Sequence, residues 1–218
     1  REETGATAAT GFALWEDALV LTDWLARLPT PETLGRSGGV PPGLLAASLL
    51  ELRSWDRVLA VELGAGIGLC AAAAARLGME VVATDGDDRT VRLIASNLCR
   101  NVTDGPGRAR AAELLWGDGA AARALGLTRS PELLLATGCV YGSCADVWES
   151  LVRTLDELAG PDTLVLMVHG NGAAPGALEM RGGFYRVAEP LFHVARVPQR
   201  MLPAEHDGCR LHCMRKRA

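Results

Sequence analysis

The residues best suited to chemistry lie in the run Val61-Glu62-Leu63-Gly64-Ala65-Gly66-Ile67-Gly68, which follows an apolar stretch and opens a helical one. Glycines at such a junction let the backbone turn tightly and approach a ligand closely, and a helix N-terminus favours a negative group. The spacing Gly64-x-Gly66-x-Gly68, with Glu62 just before it, suits a ligand that joins a nucleoside to an amino acid. It fits less well the Gly-x-Gly-x-x-Gly of dinucleotide sites. Twenty-one residues after Gly64, Asp85 ends the next apolar run, where a carboxylate can accept the hydrogens of both ribose hydroxyls.

These residues need a scaffold, and from about residue 57 apolar β-rich runs alternate with helical ones, as in a parallel sheet covered on both faces. The expected strands are Arg57–Leu63, Glu80–Thr84, Ala112–Leu115, Leu133–Thr137, Thr163–His169, Leu191–Val197 and Arg210–Arg215. Helices are expected at Ile67–Leu77, Asp88–Arg100, Asp118–Leu125, Ala145–Ala159 and Pro175–Val187. The fold class is therefore α/β, a seven-stranded, doubly wound, mostly parallel sheet. Residues 1–56 read as an N-terminal helical segment packed on the main domain, 57–218. In it Leu14, Ala18, Leu21, Trp24 and Leu25 recur at helical spacing along Glu16–Leu28, and a second helix is expected at Gly43–Arg53 after the Pro/Gly-rich Pro29–Gly43.

Composition narrows the classes. Of 218 residues 49% are hydrophobic and 22% charged, enough apolar material for a core and too much for a disordered chain. No apolar run is long enough to cross a bilayer, and a net charge of −4 without a basic cluster, the short Arg215–Arg217 aside, argues against nucleic acid as partner. Six cysteines (Cys70, Cys99, Cys139, Cys144, Cys209, Cys213) show no CxxC spacing, so reduced thiols are expected and no metal site. The 22 basic residues include a single lysine, Lys216, an imbalance best attributed to coding bias. His193, His206 and His212 lack metal-ligand spacing, and His206-Asp207 reads as a solvated turn. His169, before the glycine-rich 170–177, is a weaker candidate for the site, as are Cys139 and Cys144, which default to buried small hydrophobes.

Taken together, Glu62–Gly68 and Asp85 resemble the class I, seven-stranded methyltransferases that use S-adenosylmethionine, a Rossmann-like methyltransferase fold. Further segments resemble the methyltransferase-like protein-lysine group, family 16. Gly11-Phe12-Ala13-Leu14-Trp15-Glu16-Asp17-Ala18 is similar to that group's N-terminal segment, Thr84-Asp85 and Asn97-x-x-x-Asn101 to its second strand and following helix. Leu114-Leu115-Trp116-Gly117 is similar to its Leu-Asp-Trp-Gly segment, with Leu115 in place of Asp. The resemblance implies S-adenosyl-L-methionine as cofactor, with Trp15, Glu62, Gly64, Gly66, Gly68, Asp85, Trp116 and Ala136 around it. Trp116 would offer a flat surface beside the adenine and Trp15 would close the pocket. Glu62 would contact the methionine end or order the turn, and Asn97 and Asn101 would bond helix to loop.

The resemblance also implies an acid at the end of the fourth strand, in an Asp-x-x-Tyr/Phe pattern, to orient the attacking amine. This chain reads Ala136-Thr137-Gly138-Cys139-Val140-Tyr141: Tyr141 is retained to border the acceptor channel, and Gly138 replaces the acid. Much of the catalysis of an in-line displacement comes from positioning, yet an amine must be neutral when it attacks. Glu16, Asp17 and Asp118 are all open as substitutes. The expected activity is protein-lysine N-methylation, with a protein as partner, in the cytoplasm or also the nucleus. Two alternatives stand beside it: a cofactor-binding module that works through a partner, and a methyltransferase for another residue or a small molecule.

Overall fold

The short apolar runs pair into one sheet in a computed structural model that describes residues 10–27, 55–140, 145–170, 177–202, 204–206 and 208–217. The strands are β1 (Leu59–Leu63), β2 (Glu80–Asp85), β3 (Arg108–Glu113), β4 (Leu133–Thr137), β5 (Leu164–His169), β6 (Phe192–Arg196) and β7 (Arg210–Lys216). Their spatial order is β3-β2-β1-β4-β5-β7-β6. All pairs are parallel except those of β7, which runs antiparallel to both β5 and β6. This is the doubly wound, mostly parallel sheet expected from the sequence. Every residue of β1 and β5 is buried, as strands covered on both faces must be.

Helices α1 (Glu16–Arg27), α2 (Leu69–Leu77) and α3 (Asp88–Asn101) cover one face, and α4 (Ala121–Ala124), α5 (Ala145–Leu158) and α6 (Ala177–Ala188) serve the other. The period of two along each strand divides the core accordingly. Leu133 and Leu135 of β4 pack with α1 and α2, while Leu134 and Ala136 pack with α5. Val20, Leu21, Trp24 and Leu25 of α1 are all buried in the first of these layers. Each stabilises that docking by about 1.5–3 kcal/mol when taken fully from water. The acidic first turn of α1 is thereby held over the C-terminal ends of the central strands.

Two elements depart most from expectation. The third strand was expected at Ala112–Leu115 and lies at Arg108–Glu113, because it is an edge strand whose arginines 108 and 110 alternate outward and hide the apolar pattern. The expected helix Asp118–Leu125 shrinks to Ala121–Ala124, since Gly117, Gly119 and Gly126 all adopt left-handed backbone around it. Helix Gly43–Arg53, the stretch Pro29–Gly43, Tyr141, Cys144 and residues 171–176 lie outside the described residues.

Candidate active site

The strand order reverses between β2 and β4 on either side of β1, and ligands of such sheets bind in the crevice at that switch point. The glycine turn leaves β1 there. Gly64, Gly66 and Gly68 have φ of 63°, 54° and 80°, a conformation that only glycine adopts freely. A Cβ on Gly64 would stand 2.9 Å from Cys139 Sγ and 3.2 Å from Trp116 Cζ2, so the turn is also too closely packed for a side chain. Ala65 N–H donates to Thr84 O at 2.8 Å, which ties the turn to the end of β2.

Asp85 stands at that end. Its carboxylate accepts from Gly66 N–H and Asp87 N–H, each at 3.2 Å, so it couples the glycine turn to the start of α3. Burial raises its pKa, and the amides of Asp87, Gly66 and Gly86 oppose the rise. Trp116 follows β3 and reaches across to Gly64, while Leu114 is buried and Leu115 is exposed. The structure thus brings Gly64 and Gly66, Asp85 and Trp116 together from three separate stretches of chain.

Glu62 has a different task from the others. It is fully buried, and its Oε2 accepts Ala71 N–H at 2.8 Å, satisfying a donor of the first turn of α2. Desolvation pushes its pKa up to about 8. Of the two roles open to it from sequence, ordering the turn is the one these contacts carry. Asn97 Nδ2 donates to Ile67 O at 2.8 Å, the helix-to-loop bond expected, and Asn101 Nδ2 donates to Asn97 O within its own helix. Ala136 pairs with Leu63 in the β1–β4 ladder, and its methyl group is buried in the core. Trp15 is 54% exposed at the head of α1. Four residues before it, Gly11 O lies 3.4 Å from where a Cβ of Gly66 would be, so the N-terminal segment touches the turn at Gly11.

At the end of β4, Gly138 has φ 63° and donates its N–H to Val168 O at 3.1 Å. Cys139 is buried, with its thiol donating to Leu63 O at 3.2 Å, and burial beside Glu62, Asp85 and Asp17 raises its pKa. It is a packed small residue, as expected. His169 is buried behind the site: Nε2 bonds Tyr185 Oη at 2.6 Å, and burial with His212 and Arg181 nearby lowers its pKa to about 3. The reading of His206-Asp207 as a solvated turn is corrected at His206, which is buried with Nε2 3.1 Å from Asp23 Oδ2. It pins the β6–β7 connection to α1, a long-range contact with no local signal. No group of three His, Cys, Asp or Glu among the described residues is placed to hold a metal, and none of their helices is long and apolar enough to cross a membrane.

Known proteins share this fold. The fold matches a TehB-like SAM-dependent methyltransferase of Corynebacterium glutamicum at TM-score 0.54 and 17% identity, over 73% of this chain and 80% of that one. It also matches a Thermus 16S rRNA N2 G1207 methyltransferase solved with AdoMet and guanosine, at TM-score 0.58 and 18% identity, over 96% of this chain and 45% of that one. Magnesium protoporphyrin IX methyltransferase of Synechocystis, solved with SAH, matches at TM-score 0.51 and 11% identity, over 90% and 84%. Likeness at such identities is one of fold. In sequence, protein N-lysine methyltransferase METTL21A of Danio rerio is 32% identical over 108 residues, 49% of this chain and 47% of that protein. The match thus spans about half the length of that relative. The family model described as lysine methyltransferase matches residues 1–173, and with that span, which includes the glycine turn, Asp85, Trp116 and the end of β4, the chain belongs to the lysine methyltransferase family.

Proposed function

We propose that the protein transfers a methyl group from S-adenosylmethionine to the side-chain nitrogen of a lysine in another protein. The observation that carries the reading is the left-handed glycine turn at the switch point, coupled through Gly66 N–H to the Asp85 carboxylate 3.2 Å away. These residues fit the cofactor: a turn with three glycines admits it closely at the positions that carry no side chain, and an oriented carboxylate at the end of β2 accepts the ribose hydroxyl hydrogens. Trp116 gives the adenine a flat apolar neighbour. When bound, S-adenosylmethionine supplies an electrophilic methyl group on a positively charged sulfur. The acidic residues at this end of the sheet, Asp85 and Asp17 among them, favour cations, and family membership supports lysine as the acceptor.

A protein partner agrees with the acidic balance of the chain, and five free cysteines among the described residues agree with a reducing compartment such as the cytoplasm. Calorimetry against S-adenosylmethionine and S-adenosylhomocysteine, with tritiated transfer to whole-cell protein, tests the reading. Saturable binding of both nucleosides and label in methyl-lysine are expected. No binding at millimolar concentration would sink the methyltransferase reading, and binding without label would leave a cofactor-binding module.

A further inference from the structure

We propose that the Asp17 carboxylate receives the acceptor amine, taking from the N-terminal helix the place of the acid that position 138 lacks. The proposal rests on the methyltransferase reading above. Its evidence is the space around two glycines. A Cβ on Gly138, at the end of β4, would stand 3.2 Å from Asp17 Oδ2. A Cβ on Gly170, at the end of β5, would stand 2.7 Å from Asp17 Oδ1. The carboxylate therefore lies astride the ends of two adjacent strands and fills the volume that both positions leave open.

Helix α1 holds it there. The buried face Val20, Leu21, Trp24 and Leu25 fixes the helix on the sheet, and Cys70 Sγ donates to Ala18 O at 3.3 Å in the first turn. An acid in a first turn often serves the amides of its own helix. Asp17 instead faces the sheet, where the backbone amide of Gly170 and the positive charge of Arg181 both favour its ionised form. Burial outweighs both and raises its pKa. Asp17, Glu62 and Asp85 all act on the Cys139 thiol, which puts Asp17 at the same end of the sheet as the cofactor turn. The other two substitutes fall away: Glu16 is exposed, and Asp118 is exposed in a turn with its Oδ1 on Ala120 N–H at 3.0 Å.

A carboxylate so placed accepts N–H hydrogen bonds from a lysine amine and so orients its lone pair. It also stabilises the positive charge of that nitrogen when protonated and again once methylated. Gly138 is then one half of an exchange, since an acid there would collide with Asp17. The second half is the aspartate on α1, brought to the same point from 121 residues earlier in the chain.

The test compares wild type, Asp17→Asn, Asp17→Ala and Asp17→Ala/Gly138→Asp. One readout is binding of S-adenosylhomocysteine and of sinefungin, whose amine stands where the sulfonium bears its methyl. The other is methyl-lysine formed on whole-cell protein. Asp17→Asn is expected to keep its affinity for S-adenosylhomocysteine, lose about tenfold or more for sinefungin and slow transfer by about a hundredfold. Gly138→Asp in the Asp17→Ala background is expected to recover about tenfold in both, because Asp tolerates positive φ and the space is then vacant. Should Asp17→Asn fail to melt cooperatively, Asp17→Ser, a smaller polar residue without the charge, is read in its place. If a folded variant lacking the charge matches wild type in both readouts, or the double variant recovers nothing, the proposal is overturned while the methyltransferase reading stands. A wild-type chain that binds neither nucleoside overturns both.

Discussion

Replacing Gly64 by alanine adds one methyl group at the point where the glycine turn and the segments after β3 and β4 converge. Two costs follow from the structure. A residue with a Cβ at φ 63° costs about 1–2 kcal/mol. The new methyl, 2.9 Å from Cys139 Sγ and 3.2 Å from Trp116 Cζ2, overpacks a close contact at about 1–3 kcal/mol. Together they amount to about 2–5 kcal/mol, and in a domain of this size each kcal/mol lowers Tm by about 2–4 °C. Thermal melts of Gly64→Ala, Cys139→Ala and the double variant separate the two costs. With Sγ absent, the closer of the two contacts is relieved while the one with Trp116 and the backbone cost are not, so the double variant should lie about 1–2 kcal/mol above the sum of the singles. Cys139→Ala also forfeits the bond to Leu63 O, which the single-variant arm of the cycle subtracts. A Gly64→Ala chain that melts within about 1 °C of wild type would refute the close approach and the left-handed turn together.

Other consequences are simpler to read. Glu62 holds its proton in the folded chain up to about pH 8, against 4.5 for an ordinary glutamate. Between those values the folded state binds one proton more than the unfolded, and stability falls as pH rises, by about 1.4 kcal/mol per pH unit. Glu62→Gln should flatten that fall, with a Tm advantage over wild type that grows from pH 5 to pH 8; parallel Tm–pH curves would contradict it. Asp85→Asn, which removes the charge proposed to hold the ribose, should weaken S-adenosylhomocysteine binding by about 10- to 100-fold in calorimetry, and unchanged affinity would remove Asp85 from the site. Lys216 Nζ lies 2.9 Å from Asp156 Oδ1 at the far end of the sheet, beside the start of β5. Tryptic mapping of enzyme incubated alone with labelled cofactor should therefore find no methyl on Lys216, and label there would place the acceptor site elsewhere.

The sequence made the sheet legible because its central strands are continuous apolar runs and its turns carry glycines. Gly64, Gly66, Gly68 and Asp85 were readable for the same reason, as their spacing is local to one strand-turn-helix unit. Edge strand β3 begins earlier than its apolar residues suggest, since Arg108 and Arg110 face outward and mask its start. What was not legible depends on tertiary contact. Nothing in the sequence ranked Asp17 above Glu16 or Asp118, because only the docking of α1 brings its carboxylate to Gly138 and Gly170. Nor does any local pattern tell that His206 turns inward to Asp23 or that Glu62 is spent on the α2 amide.

The central claim, transfer of a methyl group to a protein lysine, is tested most directly by incubating the protein with deuteromethyl S-adenosylmethionine and whole-cell protein, then sequencing the labelled peptides by mass spectrometry. The account predicts deuterated methyl groups on lysine side chains, formed by wild type and reduced with Asp85→Asn at cofactor concentrations that saturate only the wild type. Deuterium found only on other residues or on small molecules, or no transfer by a chain that binds the cofactor, would contradict it.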